Sequence, residues 1–166
     1  SLKEDVMRPA ARALALALAL AIPASAAAKE HFVDPVHGSK DGDGTAARPW
    51  RTLKEVLEGN LIESQHWTKL PYAPGATLGP KNAGAPVKAG DTIWLLSGNH
   101  GDFLVQGYYN ASPITVAAAS GQRPQLARVQ LRSASNWIVR GLEVSPTFAA
   151  TYSNATLVSV ENHAHH

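Results

Sequence analysis

Short apolar runs return at a nearly constant spacing in the second half of this chain, and that recurrence constrains the fold more than any other feature. The runs are Thr92-Ile-Trp-Leu-Leu96, Pro113-Ile-Thr-Val-Ala117, Asn136-Trp-Ile-Val-Arg140 and Thr156-Leu-Val-Ser-Val160. Their central residues Ile93, Ile114, Ile138 and Val158 are 21, 24 and 20 positions apart, an interval that marks stacked-coil architectures. Each coil of such a solenoid lays its strand on the strand before it, so these central residues are expected to stand in one row inside a shared core.

The segments between the runs fit the same plan. Gly90-Asp91 and Ser97-Gly98 bracket the first run, Gly121-Gln-Arg-Pro124 follows the second, and Ser133-Ala-Ser-Asn136 precedes the third. Within 125–132, Val129 and Leu131 alternate with Arg128, Gln130 and Arg132, which places the apolar pair inside and the arginines outside. Three short strands per coil, joined by small or polar turns, predict an all-β parallel β-helix of about three coils over residues 90–166. A sandwich would require hairpin signals between paired strands, and the one Asp41-Gly42 dipeptide has no strand-like flanks.

Residues 29–89 read as a cap on that array. His31-Phe-Val-Asp-Pro35 is a short strand, and Gly38-Ser-Lys-Asp-Gly-Asp-Gly-Thr45 is a tight polar loop built by glycine and aspartate. Thr52 with Glu55 forms a capping box for a helix whose Leu53, Val56 and Leu57 share one face, with Gly59 as the expected stop. Residues 60–89 hold four prolines and three glycines without periodicity, and read as a long insertion loop with one helical turn near Leu61 to Trp67. In that loop Trp67 and Tyr72 either stack on a sugar ring or tuck the loop onto the body.

The N-terminus predicts export. Met7, Arg8 and Arg12 precede the apolar run 13–22, and Pro23-Ala-Ser-Ala26 supplies an A-x-A cleavage site, so residues 1–28 read as upstream residues and a bacterial signal peptide. The apolar run is about half the ~20 residues needed to cross a bilayer, so a secreted or periplasmic protein is expected, with no membrane contact after cleavage. Removing Lys3, Arg8 and Arg12 with Glu4 and Asp5 from the 15 basic and 13 acidic residues leaves 12 and 11, a net charge of +1. Such a balance excludes a nucleic-acid binder, which needs a clustered basic surplus. With no cysteine, the exported fold depends on packing, backbone ladders or a bound ion.

Val33-Asp-Pro, Gly38 to Thr45, Pro49-Trp-Arg-Thr-Leu53 and Ala89-Gly-Asp-Thr-Ile93, followed by Pro113 to Ala118, Gly121 to Pro124 and Trp137 to Val144, resemble the opening of secreted right-handed parallel β-helix proteins of the pectate-lyase-like superfamily. The resemblance covers most of residues 31–160. Such proteins run to many more coils, so this chain is expected to be an N-terminal piece of a longer, monomeric one. As expressed, with few coils, it is expected to associate through its last strand. The fold hosts several activities, and the resemblance implies a partner that is a polysaccharide, with a lyase cleaving an acidic glycan by β-elimination as the first reading. A non-catalytic adhesin or glycan-binding protein and a glycoside hydrolase on the same fold stay open beside it.

In β-elimination a base takes the proton α to a uronate carboxylate whose charge is offset by Ca²⁺ or arginine. The resemblance implies lysine or arginine as base, and the last lysine is Lys88, so the coils hold none and the catalytic residues are expected elsewhere. Arg128, Arg132 and Arg140 are the candidate polyuronate-binding residues, because guanidinium forks match carboxylates; the alternative is a solvated exterior. Asp34, Asp41 and Asp43 are candidate Ca²⁺ ligands, although turn building explains them without a metal. A hydrolase requires paired carboxylates, whereas the coil acids Asp91, Asp102, Glu143 and Glu161 form no pair evident in sequence. His37, His66 and His100 stand alone, and His163-Ala-His-His166 reads as a turn or a metal tract.

Overall fold

A computed structural model of the chain describes residues 27–69, 73–151 and 154–161. The apolar run 13–22, Tyr72 and the histidine-rich 163–166 lie outside the described residues. The described part is mostly β. In chain order it runs β1 (Glu30–Val33), helix α1 (Leu53–Glu58), β2 (Ser64–Trp67), β3 (Leu78–Lys81), β4 (Thr92–Leu95), β5 (Gly98–Asn99), β6 (Asp102–Ala118), β7 (Pro124–Leu126), β8 (Arg128–Arg140), β9 (Glu143–Val144) and β10 (Val158–Glu161), with one 3-10 turn at Pro146–Phe148. Among the described residues no helix is long and apolar enough to cross a membrane.

The strands assemble in sequence order. A five-stranded sheet runs β1-β4-β6-β8-β10 and a three-stranded sheet runs β5-β7-β9, and every pairing in both is parallel. The long strands β6 and β8 each serve twice: Asp102 to Tyr109 lies on Arg128 to Ser135, and after a register shift Ile114 to Ala117 lies on Trp137 to Arg140.

Register departs from the sequence expectation in one instructive respect. Ile93, Ile114 and Ile138 do not stand in one row. Ile93 neighbours Val116, which neighbours Val139, while Ile114 lies beside Trp137. Ile138 lies beside Thr115 and is 44% exposed. Val158 belongs to a different column, Phe103–Val129–Val158. Side chains alternate strictly along a strand, so an alignment displaced by one residue turns a core residue outward. The core itself is continuous: Phe103, Ile93, Leu95, Val105, Ile114, Val116 and Leu126 are buried, and Trp137 stands edge-on to both Phe103 and Tyr108 at 5.6 and 6.1 Å.

The cap forms by saturating the outer edge of β1. Phe32 N–H donates to Gly44 O, Trp50 N–H to Phe32 O and Asp34 N–H to Trp50 O. The 38–44 loop fits so closely that a Cβ on Gly38 would meet Trp50 O at 2.2 Å and one on Gly42 would meet Pro49 O at 2.3 Å. Helix α1 starts as expected, with the Thr52 side chain accepting from Glu55 N–H. Its stop differs. Gly59 keeps right-handed dihedrals, and Asn60 takes the left-handed position at φ 55°. Asn60 N–H then reaches Leu57 O and Leu61 N–H reaches Val56 O, the paired bonds of a Schellman ending.

Residues 60–89 are not a structureless loop, and no helical turn forms at Leu61 to Trp67. β2 and β3 pair antiparallel as a hairpin, Ser64 opposite Lys81. Pro80 is tolerated there because a two-stranded ribbon leaves half its backbone groups unpaired. The hairpin is fixed to β6 by Ser64 Oγ donating to Asn110 Oδ1 at 2.7 Å and by Trp67 edge-on to Tyr109 at 5.9 Å. One further device joins β6 to β8. Asn110 Nδ2 donates to Asn136 O at 3.0 Å, and Asn136 Nδ2 returns the bond to Asn110 O at 2.7 Å.

Candidate functional site

The outer face of the β6–β8–β10 wall carries the polar side chains. Alternation buries Phe103, Val105 and Val129 and leaves Asp102, Leu104 and Gln106 on β6 and Arg128, Gln130 and Arg132 on β8 facing out, as expected from the sequence. Arg128 and Arg132 are four residues apart on one strand, about 13 Å at strand rise. Each meets an acid on a neighbouring strand: Arg128 Nη2 is 2.9 Å from Asp102 Oδ2, and Arg132 Nε is 3.6 Å from Glu161 Oε1. Gln130 and Ser159 also donate to Glu161 Oε1. Arg140 is brought elsewhere. It lies past the turn at Asn136, beside Ala117, exposed and without an ion pair among the described residues.

A cavity of about 410 Å³ opens at one end of this face, between α1, the start of β8 and the segment after β9. Arg128 and Asp102 form part of its wall, with Lys54 from α1 and Phe148 from the 3-10 turn. Local folding explains why these distant segments meet. Lys54 N–H donates to His100 O, and the Lys54 stem lies 3.2 Å from where a Cβ on Gly101 would stand. Asn99 Oδ1 accepts from Gly101 N–H at 2.8 Å while Asn99 Nδ2 donates to Phe148 O at 2.7 Å. One amide thus sets the turn and holds the Phe148 segment over it. Lys54, Asn99 and Phe148 were not among the residues singled out in the sequence, because nothing in their local spacing links three segments so far apart.

A second lysine, Lys81 of β3, reaches the surface of β6. Lys81 Nζ donates to Gln106 O at 2.8 Å and stands 3.8 Å over the Tyr108 ring. Burial lowers its pKa from the ordinary lysine value, whereas both contacts favour the ammonium form.

The aspartates of the cap do other work. The Asp34 carboxylate accepts from Val36 and His37 N–H at 2.8 and 3.1 Å and meets His37 Nδ1 at 3.0 Å. Asp43 accepts from Thr45 N–H and Oγ1 and from Arg48. Asp41 is exposed, and its backbone carbonyl accepts from Arg48. Among the described residues no three His, Cys, Asp or Glu side chains gather where they could hold a metal ion.

The four acids of residues 90–161 do not meet one another: Asp91 meets the His31 ring at 3.1 Å, Glu143 meets Arg123 at 3.7 Å, and Asp102 and Glu161 meet the arginines above. His100 is fully buried, with Nε2 against Leu96 O at 2.7 Å. Burial lowers its pKa despite that contact.

No protein-family model matches the chain, and it matches no curated protein. Among solved structures it is similar to one described as a rhamnogalacturonan lyase, at 22% identity and a TM-score of 0.42, over 70% of this chain and 28% of that one. The chain therefore spans little more than a quarter of that structure's length.

Proposed function

We propose that this chain supplies the opening turns of an exported right-handed parallel β-helix that engages an acidic polysaccharide, with β-elimination as its chemistry. The observation that carries the reading is Arg132, which faces out from β8 and whose Nε, 3.6 Å from Glu161 Oε1, makes no hydrogen bond among the described residues. Guanidinium groups offset the uronate carboxylate and stabilise the charge that develops when a base removes the α-proton. The released electron pair then forms the ring double bond as the C–O bond to the glycosidic oxygen breaks, and that oxygen takes a proton from the protonated base or from water to leave as the alcohol. The described residues furnish binding and charge offset, and none of them is assigned as the base.

The test is retention and cleavage of polygalacturonate, alginate and chondroitin sulfate by the 166-residue chain, with ultraviolet absorbance reporting the new double bond. Retention on an acidic glycan, weakened about tenfold by Arg132→Ala, is expected. Failure to retain any of the three polymers overturns the reading.

A second reading, a non-catalytic glycan-binding β-helix, is favoured by one observation: Asp102 and Glu161, the acids on the outer face of the arginine-bearing strands, each stand beside an arginine. It predicts retention without a new double bond.

A further inference from the structure

We propose that the cavity beside α1 is a subsite for one neutral pyranose ring of the glycan, distinct in preference from the acidic units that Arg132 engages. The inference rests on the polysaccharide reading above and adds a second sugar class to it.

Size sets the first limit. At about 410 Å³ the cavity lies at the low end of ligand pockets, which run from about 300 to 1,000 Å³, and so fits a short saccharide unit, not a long run of chain. Its space exists because its wall uses small residues, Gly101, Ala127, Ala149 and Ala150, where larger side chains would close it.

Charge sets the second limit. The cavity holds two cations, and each has its own carboxylate: Arg128 with Asp102 at 2.9 Å and Lys54 with Glu58 at 3.7 Å. A uronate entering here would have to displace Asp102 from Arg128 and would leave one carboxylate facing another. A neutral sugar faces no such conflict.

Hydrogen-bonding capacity then matches a diol. Arg128 has five N–H donors and uses one on Asp102 Oδ2, while Asp102 remains an acceptor. A donor fork beside an acceptor serves two adjacent hydroxyls, each of which both donates and accepts. Phe148, Pro146 and Leu157 supply apolar surface for the C–H face of the ring. The Asn99 amide fixes Phe148 relative to the turn, so the site is held in place before any ligand arrives.

The experiment is saturation-transfer NMR on the 166-residue chain with methyl mannopyranoside, methyl glucopyranoside and methyl galactopyranosiduronate, run beside polygalacturonate retention. At least one neutral glycoside should bind about tenfold tighter than the uronate. Ala150→Phe, at an exposed position on the rim, should abolish that binding without lowering Tm. Asp102→Asn keeps the shape but frees Arg128, and should reverse the preference toward the uronate, a change that loss of fold cannot produce. Tighter uronate binding in the unaltered chain, or an unchanged preference in Asp102→Asn, overturns the proposal. Polymer retention without glycoside binding defeats the subsite alone. Glycoside binding without polymer retention defeats the acidic-polysaccharide reading and leaves the subsite standing.

Discussion

The two outer strands of the five-stranded sheet differ sharply in how their far edges are treated. β1 is closed by the 38–50 loop, which supplies backbone partners to Phe32 and Asp34 and seats Trp50 at 2% exposure. β10 leaves Val158 and Val160 at 57% and 62% exposure. The column Phe103–Val129–Val158 makes the contrast quantitative, with exposures of 0%, 6% and 57% along one row. Val129 and Val158 are the same residue in the same column one strand apart. A position in this fold becomes core through what covers it, since its own side chain supplies only the capacity to be buried.

That contrast can be broken at five places. Phe103→Ala, at the covered end of the column, should cost about 3–5 kcal/mol in urea unfolding; a loss under about 1 kcal/mol would show that the column does not carry the fold. Gly38→Ala should cost about 3 kcal/mol, because its Cβ would meet backbone oxygen that cannot move aside without opening the β1 edge. The third test uses acid. Burial pulls the Asp34 carboxyl upward, and hydrogen bonds from Val36, His37 N–H and the His37 ring outweigh it, leaving its pKa below the ordinary carboxylate value. The folded state therefore binds fewer protons at this site than the unfolded chain does. The stability it confers is present above about pH 4 and lost as pH falls through the depressed value. Asp34→Asn should flatten that acid slope in thermal melts from pH 2 to 6. Thr52→Ala removes the α1 cap and should cost about 1 kcal/mol. Val158→Ala, at the uncovered end, should change stability by less than about 0.5 kcal/mol and, by thinning the exposed apolar edge, reduce self-association in sedimentation velocity.

The recurrence of apolar runs disclosed the parallel order of the strands, because each run needed a neighbour of its own kind to cover it. It did not disclose the register. Ile138 was grouped with Ile93 and Ile114 on chemical likeness, yet it faces out. Isolated five-residue runs fix no parity, and the pairing offset itself changes along the strand, from 26 residues at Asp102–Arg128 (128 − 102) to 23 at Ile114–Trp137 (137 − 114) after the register shift. The hairpin at 64–81 was hidden by its composition, since Gly79 and Pro80 in β3 and polar Ser64 and Gln65 in β2 mimic a loop. At the site, Arg128 and Arg132 were visible through alternation within one strand. Lys54 and Phe148 were not, because they reach Arg128 through packing between segments that local patterns do not connect.

The corners of this molecule are unequal in how much chain they can admit. At one, the reciprocal amides of Asn110 and Asn136 join β6 to β8 where the register shifts, and β6 spends residues 110–113 against Asn136 alone. At the other, the links between the short and long strands are His100-Gly101, then Ala127 alone, then the whole of 145–157. Length varies freely at that second corner, and the cavity sits beside it. Inserted or grafted segments at 145–157 are thus the route by which recognition can diversify while the ladder stays unchanged.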